Sequence, residues 1–345
     1  MKNSNSISSR RKFIQQSTLA GTAIILANPL QLFARNNQLA GVNDLDINHV
    51  IDTENSCLYN TSVYAWLRTD IPLEIGHTYW RDIHGTLISR IPGTFLYRQL
   101  HMSPAINILS ANFQKYVKPV DPADQPQGLA HTFYHDEAGR QRFFDHPMTK
   151  KYMVQDEVKL VKANATCWSK GDNARTLKDT SNNLSPQGKP INDEYAVSLI
   201  FRGGTSANTR KENLIRLSNQ LNQHAKVTRL RYHLLEEYDD EHFPEGQVGH
   251  RRPVDVRYNA WIELGVQSNT DLAKVLEPDL LEILNNLDTI HIYPIFDKYT
   301  IMAKGKATIV GLKGYPAYQT ILAAGANNQL DPGLLEDVYG KVPKE

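Results

Sequence analysis

One histidine falls where a helix should be apolar. In "TYWRDIHGTLISRIPG", residues 78–93, Trp80, His84, Leu87 and Ile91 recur at helical spacing and share one stripe. An imidazole on that stripe has two readings. It is a general acid/base, able to take a proton from an activated carbon or give one to an oxygen near neutral pH. Or it is a core histidine bonded to a backbone carbonyl or a nearby carboxylate. Tyr79 beside it either orients a substrate oxygen and steadies a developing enolate, or packs against a sheet. Arg81 and Asp82 lie off the stripe and read as solvated or inter-element ion pairs.

Two later strands add polar groups. "TFLYRQLHM" (94–102) puts Phe95, Tyr97, Gln99 and His101 on one face. "LAHTFYHD" (129–136) aligns Leu129, His131, Phe133 and His135. A face carrying Tyr97, Gln99, His101 and His131 is unusually polar, and needs a network, a ligand or solvent. The expected catalytic residues are therefore His84, Tyr79, His101 and Tyr97, with Trp80, Gln99 and His131 binding substrate. No metal site is expected: the four histidines lack compact ligand spacing, and no C-x-x-C or H-E-x-x-H occurs. "RGGTS" (202–206) lacks the third glycine of a dinucleotide fingerprint and reads as a tight turn.

The elements that must hold these residues follow from periodicity. A strand at 60–67 precedes a helix at 72–91 that ends at Pro92-Gly93. Strands at 94–102 and 129–136 follow, then a turn at 137–139, a helix at 148–164 and a closing segment near 166–169. The polar stretch 170–192 reads as a linker. The order then recurs: strand 194–203, helix 209–225, strands 227–238 and 256–266, helix 270–287 capped by Thr270, and strand 290–302. Pro278 suggests a kink and Pro294 an edge strand or a break. The expected fold is α+β: two ferredoxin-like β-α-β-β-α-β halves (58–169 and 193–303) forming an intrachain pseudo-dimeric α/β barrel. A C-terminal extension, 304–345, is expected to wrap it. Laying 93–100 over 227–234 places Ser218 at the position of His84, which leaves one pocket per chain.

The amino terminus carries a different signal. "SSRRKFIQQSTLAGTAIILANPLQLFA" pairs two arginines with a short, weakly apolar run, too short for a stable span. It reads as a twin-arginine signal peptide over 1–34, so the export machinery is an expected partner and the periplasm the expected location. The 345-residue chain has a formal net charge of +1. Four of its basic residues and none of its acidic ones precede residue 35, so the remainder is mildly acidic. Nothing there favours nucleic acid or anionic lipid. Cys57 and Cys167 are either a disulfide, which an oxidising periplasm permits, or two free thiols.

"YWRDIHGTLISRIPGTFLYRQLH" (79–101) resembles the signature helix and strand of EthD-like proteins in the dimeric α/β-barrel superfamily. "GLAHTFYHDEAGRQRFFDHPMTKKYMVQDEVKLV" (128–161) resembles the same family's third strand and second helix, with an Asp-Glu pair at Asp156-Glu157. The resemblance implies a ferredoxin-like half, in a superfamily that includes cofactor-free isomerases, cyclases, lyases and monooxygenases beside haem-binding branches. The expected function is a cofactor-free lyase or isomerase, acting by proton abstraction or elimination on a small oxygenated organic substrate. The expected state is a monomer or weak homodimer. The alternatives are a haem-dependent oxidoreductase and a non-catalytic binding protein. The Gly-x-x-Asp-Gly motif of dye-decolourising peroxidases is absent from the sequence.

Overall fold

The computed structural model describes residues 47–106, 117, 119–180, 195–202, 206–236, 248, 257–276 and 289–339. The expected signal peptide and Pro278 lie outside these residues. α1 (Ile47–Asn55) leads into β1 (Tyr59–Leu67). One continuous helical run follows, made of α2 (Leu73–Tyr79), a π-turn (Trp80–His84) and α3 (Gly85–Ile88). Then come β2 (Leu96–Met102), β3 (Gly128–Tyr134) and α4 (Glu137–Asp145). A second π-turn (Thr149–Met153) opens into α5 (Val154–Leu160) and β4 (Val161–Lys170). After β5 (Ala174–Asp179), the second half contains β6 (Tyr195–Arg202), α6 (Ala207–Gln223), β7 (Val227–Leu234), β8 (Ala260–Val266), α7 (Asn269–Val275) and β9 (Thr289–Ala303). The tail adds β10 (Lys306–Ala307), α8 (Ile309–Lys313), α9 (Tyr315–Ala323) and α10 (Pro332–Tyr339). No described helix is long and apolar enough to cross a membrane.

The fold is a mixed α+β one built on antiparallel strand pairs. The sheet runs β4-β1-β3-β2-β9-β6-β8-β7-β5. Within it, β4-β1-β3-β2 and β9-β6-β8-β7 are the same permutation of four strands, joined where β2 pairs with β9. A backbone bridge links Trp168 of β4 to Glu236, just beyond β7, at 2.8 Å. Strands far apart in the order also meet across the sheet's inner face: Arg98 of β2 reaches Glu263 of β8, and Arg231 of β7 reaches Asn60 of β1. The helical run of 73–88 and α6 pack on the opposite, outer face, while α1 sends Glu54 into the inner-face group.

Four expectations about elements need correction. Residues 137–139 start α4 rather than a turn, because Asp136 caps it by accepting from the Gly139 N–H at 2.7 Å. The stretch 170–192 contains β5, which pairs with β7. The helix expected at 270 starts at Asn269 and is capped by Ser268, not Thr270. Pro294 lies inside β9, a strand paired on both sides. Its carbonyl accepts from Ser103 N–H at 2.8 Å, and its missing N–H faces the same way, just where β2 has ended. No ladder bond is lost there, so the proline is accommodated. Cys57 and Cys167 are free thiols.

Candidate functional site

The helical run of 73–88 lies on the outer face of the first four strands, and a partly open cavity of about 70 Å³ separates them. Trp80, His84 and Ile88 line it, four residues apart. The π-turn produces that spacing: Gly85 N–H bonds to Trp80 O, five residues back, so the helix takes in an extra residue and Ile88 replaces Leu87 on the stripe. Such turns recur at functional sites. Gly128 lets Trp80 lie on the sheet, since a Cβ there would sit 2.2 Å from the indole. The opposite walls come from α4 and α5, with Phe143, Phe144 and Glu157, and from the sheet, with Thr61, Tyr97, Thr132 and Asn164.

His84 is not alone. Its Nδ1 lies 2.8 Å from Asp156 Oδ2, and Tyr79 donates its hydroxyl to Asp156 Oδ1. Burial raises the Asp156 pKa, but the hydrogen bonds from His84 and Tyr79 outweigh it and hold the carboxyl below its ordinary value. Burial, with the Asp156 bond behind it, pushes the Tyr79 phenol up to about 12. Asp156 is thus an acceptor on both oxygens, and the Nδ1 of His84 must carry a proton. In the neutral ring, Nε2 then holds the lone pair. It makes no hydrogen bond among the described residues.

Tyr97 is the second group with chemistry to offer. Gln99 Nε2 donates to Trp80 O at 2.9 Å and to Tyr97 Oη at 3.1 Å. Trp80 also stabilises the phenol oxygen. Burial nonetheless raises the Tyr97 pKa to about 12, so the phenol keeps its proton. That proton has no acceptor among the described residues. A base with a free lone pair and a polarised O–H donor therefore line one small cavity.

The expected set divides in two. Trp80, His84 and Tyr97 line the cavity, Tyr79 is connected to it only through Asp156 and then His84, and Gln99 stands behind Tyr97. His101 and His131 must be corrected. His101 stacks on Trp80 with ring centroids 4.8 Å apart, among His77, Phe296 and Tyr299, and does not line the cavity. His131 is on the other side of the sheet, because the register pairs it with Arg98 rather than with a Tyr97-face residue. Arg81 and Asp82 pair with each other at 2.6 Å and hold the tail: Asp82 accepts from Tyr315 N–H, and Arg81 lies over the Tyr315 ring, 4.9 Å from its centroid, while donating to the Tyr299 hydroxyl of β9. Asp156, Glu157 and Asn164 were not on the expected list; the only signal was the Asp-Glu pair in the family-like stretch.

At about 70 Å³ the cavity as it stands is smaller than a porphyrin. His101 is stacked among aromatic rings, and His131 is fully buried against Arg98. Among the described residues no three ligating side chains converge on a point.

No family model matches the chain, and no curated protein matches it. Solved structures share a similar chain path at low identity. An anthrone oxidase-like protein is 8% identical, covers 74% of this chain and 98% of its own, and has a TM-score of 0.45. A candidate monooxygenase from Lactobacillus acidophilus NCFM is 7% identical, with 73% and 98% covered and a TM-score of 0.41. A mutant chlorite dismutase from Candidatus Nitrospira defluvii is 11% identical, with 73% and 94% covered and a TM-score of 0.37.

Proposed function

We propose that the protein is a cofactor-free lyase or isomerase that removes a proton beside a carbonyl of a small oxygenated organic molecule. The observation that carries this is the Tyr79–Asp156–His84 chain, which leaves the Nε2 lone pair of His84 at the wall of the cavity. His84 takes the proton from carbon. Asp156 fixes the ring and steadies the imidazolium, as a carboxylate behind a histidine does in other acid–base sites. Tyr97 donates to the oxygen on which enolate charge develops, with its own oxygen polarised by Gln99. His84 then returns the proton at another atom, or gives it to a leaving oxygen. The cavity is smaller than the ~150 Å³ that encloses a benzene ring, so a ring enters by displacing a flexible wall. Met153 is that wall.

The test is proton exchange. A panel of small aromatic ketones and lactones is incubated with protein in D2O and read by NMR. Deuterium should enter beside the carbonyl, and His84→Ala should slow turnover by about 10²-fold or more. Full activity in that variant removes His84 from the mechanism. An absorption band near 400 nm in protein from a host with an intact twin-arginine pathway would overturn the cofactor-free reading.

We further propose that the repeated strand permutation is an intrachain pseudo-dimer, in which the second half occupies the place of a partner subunit and the chain is monomeric. Residues 1–34 deliver it to the periplasm. Replacing Arg10 and Arg11 by lysine should leave the protein in the cytoplasmic fraction.

A further inference from the structure

His101 stands outside the cavity, yet a chain of hydrogen bonds connects it to the cavity wall. Tyr97, Gln99 and His101 alternate along β2 and so share one face of it. Gln99 Nε2 meets two oxygens, Trp80 O at 2.9 Å and Tyr97 Oη at 3.1 Å. Gln99 Oε1 lies 3.3 Å from His101 Nε2. Gln99 and His101 are both buried, so neither amide nor imidazole has water to turn to. The helical run presses on the same amide: a Cβ at Gly85 would sit 3.0 Å from Gln99 Nε2.

Chemistry fixes the direction of each bond. Trp80 O is a carbonyl, which only accepts, so the Gln99 atom facing it is the amide nitrogen. The second amide hydrogen goes to Tyr97 Oη, and the amide oxygen is left facing His101 Nε2. That nitrogen therefore carries hydrogen and donates. The His101 ring is held in place for this. His77 and Trp80 pack against it with centroids 4.7 and 4.8 Å away, and Tyr299 meets it edge-on at 5.1 Å. Gly128, opposite His101 in the β2–β3 ladder, leaves the space the indole needs. An amide turned the other way would offer its oxygen to the Tyr97 proton and draw that proton out of the cavity. Trp80 O on one side and His101 on the other oppose that turn. A donor on an amide oxygen also polarises the N–H bonds of the same amide, so Gln99 pulls harder on Tyr97 Oη. Burial raises the Tyr97 phenol, and the Gln99 bond is the first of the contacts that oppose it.

We infer that His101 is a positioning residue for the donor at Tyr97. Acting through Gln99, it keeps the phenol proton free for the cavity and makes the phenol a stronger donor to the substrate oxygen. Its effect on turnover rests on the role proposed above for Tyr97; its effect on the phenol does not.

The experiment follows the Tyr97 phenol carbon by NMR in the full chain, with tyrosine isotope-labelled at Cζ and the line assigned by its loss in Tyr97→Phe. His101→Phe keeps an aromatic ring in the stack but loses the donor, and should move the Tyr97 line. His101→Gln carries an amide nitrogen as far along the side chain as Nε2, and should bring the line back although the ring is gone. His77→Phe alters the same stack outside the chain of bonds, and should leave the line in place. In the D2O exchange assay, His101→Phe should lower kcat by about three- to tenfold at unchanged KM, and His101→Gln should recover it. A line that stays put in His101→Phe, or moves equally in His77→Phe, overturns the inference, as does an unchanged kcat where exchange is seen. Should His101→Phe fail to fold, nitrogen NMR of the unaltered protein decides: hydrogen on His101 Nε2 supports the chain, and a bare Nε2 overturns it. A moved line with no exchange in any ketone or lactone upholds the chain and sinks the proposed reaction instead.

Discussion

Under α6, Leu214, Leu217 and Leu221 press on Leu230, Ile262 and Leu264, all at most 1% exposed. Under the helical run of 73–88, the same place in the strand order carries Thr61, Tyr97, Thr132 and Asn164 around a cavity. The two layers share a strand permutation, so topology does not decide which one can do chemistry. Side chains decide it. In the second half, the expected counterpart of His84 is Ser218, fully buried, whose hydroxyl finds no partner among the described residues. α6 also runs as one α-helix of seventeen residues, without the π-turn that presents His84. One half is packed for stability, and the other keeps room and a charged chain behind its histidine.

The largest test of this division is Asp156→Asn. It removes the charge behind His84 and should lower turnover by about 10²–10⁴-fold with little loss of fold, as assayed by exchange in D2O. Unchanged turnover would make the His84–Asp156 contact purely structural. Next come matched truncations. Leu217→Ala in the dry layer should cost about 2–5 kcal/mol in denaturant unfolding. Ile88→Ala, beside an existing cavity, should fall at the low end of that range. Equal costs would mean that the cavity closes in solution.

Acid should find the first half. His77, in α2, has neither ring nitrogen hydrogen-bonded, and burial, opposed by Asp297 and Glu74, lowers its pKa to about 4. The unfolded chain binds that proton near pH 6.5 and the folded chain only near 4, so stability falls as pH drops through that window. The loss is up to about 3 kcal/mol, and His77→Phe should flatten it in thermal unfolding at pH 4–7. The smallest effect is Ser218→Ala. Removing an orphaned hydroxyl should change stability by under about 1 kcal/mol, in either direction, and leave turnover alone. A drop in turnover would give the second half a share in the site.

Much of the element order is legible in the sequence, because periods of two and of about four alternate with breakers. β5 escaped because "ARTLKD" is short and set in polar chain, and its pairing with β7 shifts register between Thr176 and Lys178. The site was half legible. Trp80 and His84 show themselves by spacing on one helix. Asp156 lies 72 residues from His84, and no local pattern announces that meeting. His131 went to the wrong face for a related reason. Alternation fixes which residues of a strand go together, but only the register with β2 fixes which side of the sheet they join. The same blindness covers Arg229 and Arg231, which alternate as a solvent-facing strand would and instead face inward.

β9 imposes an order on synthesis. Its first part pairs with β6, but its last residues pair with β2, Met302 opposite Tyr97, about two hundred residues apart in sequence. Until that stretch leaves the ribosome, β2 has a bare edge, and the half that carries His84 has one side open to stray strands. The half that carries the cavity is made first and finished last. Nascent chains stopped before residue 289 should be aggregation-prone and protease-sensitive despite containing every residue of the cavity. Those that pass 303 should acquire protection in the first and second halves together.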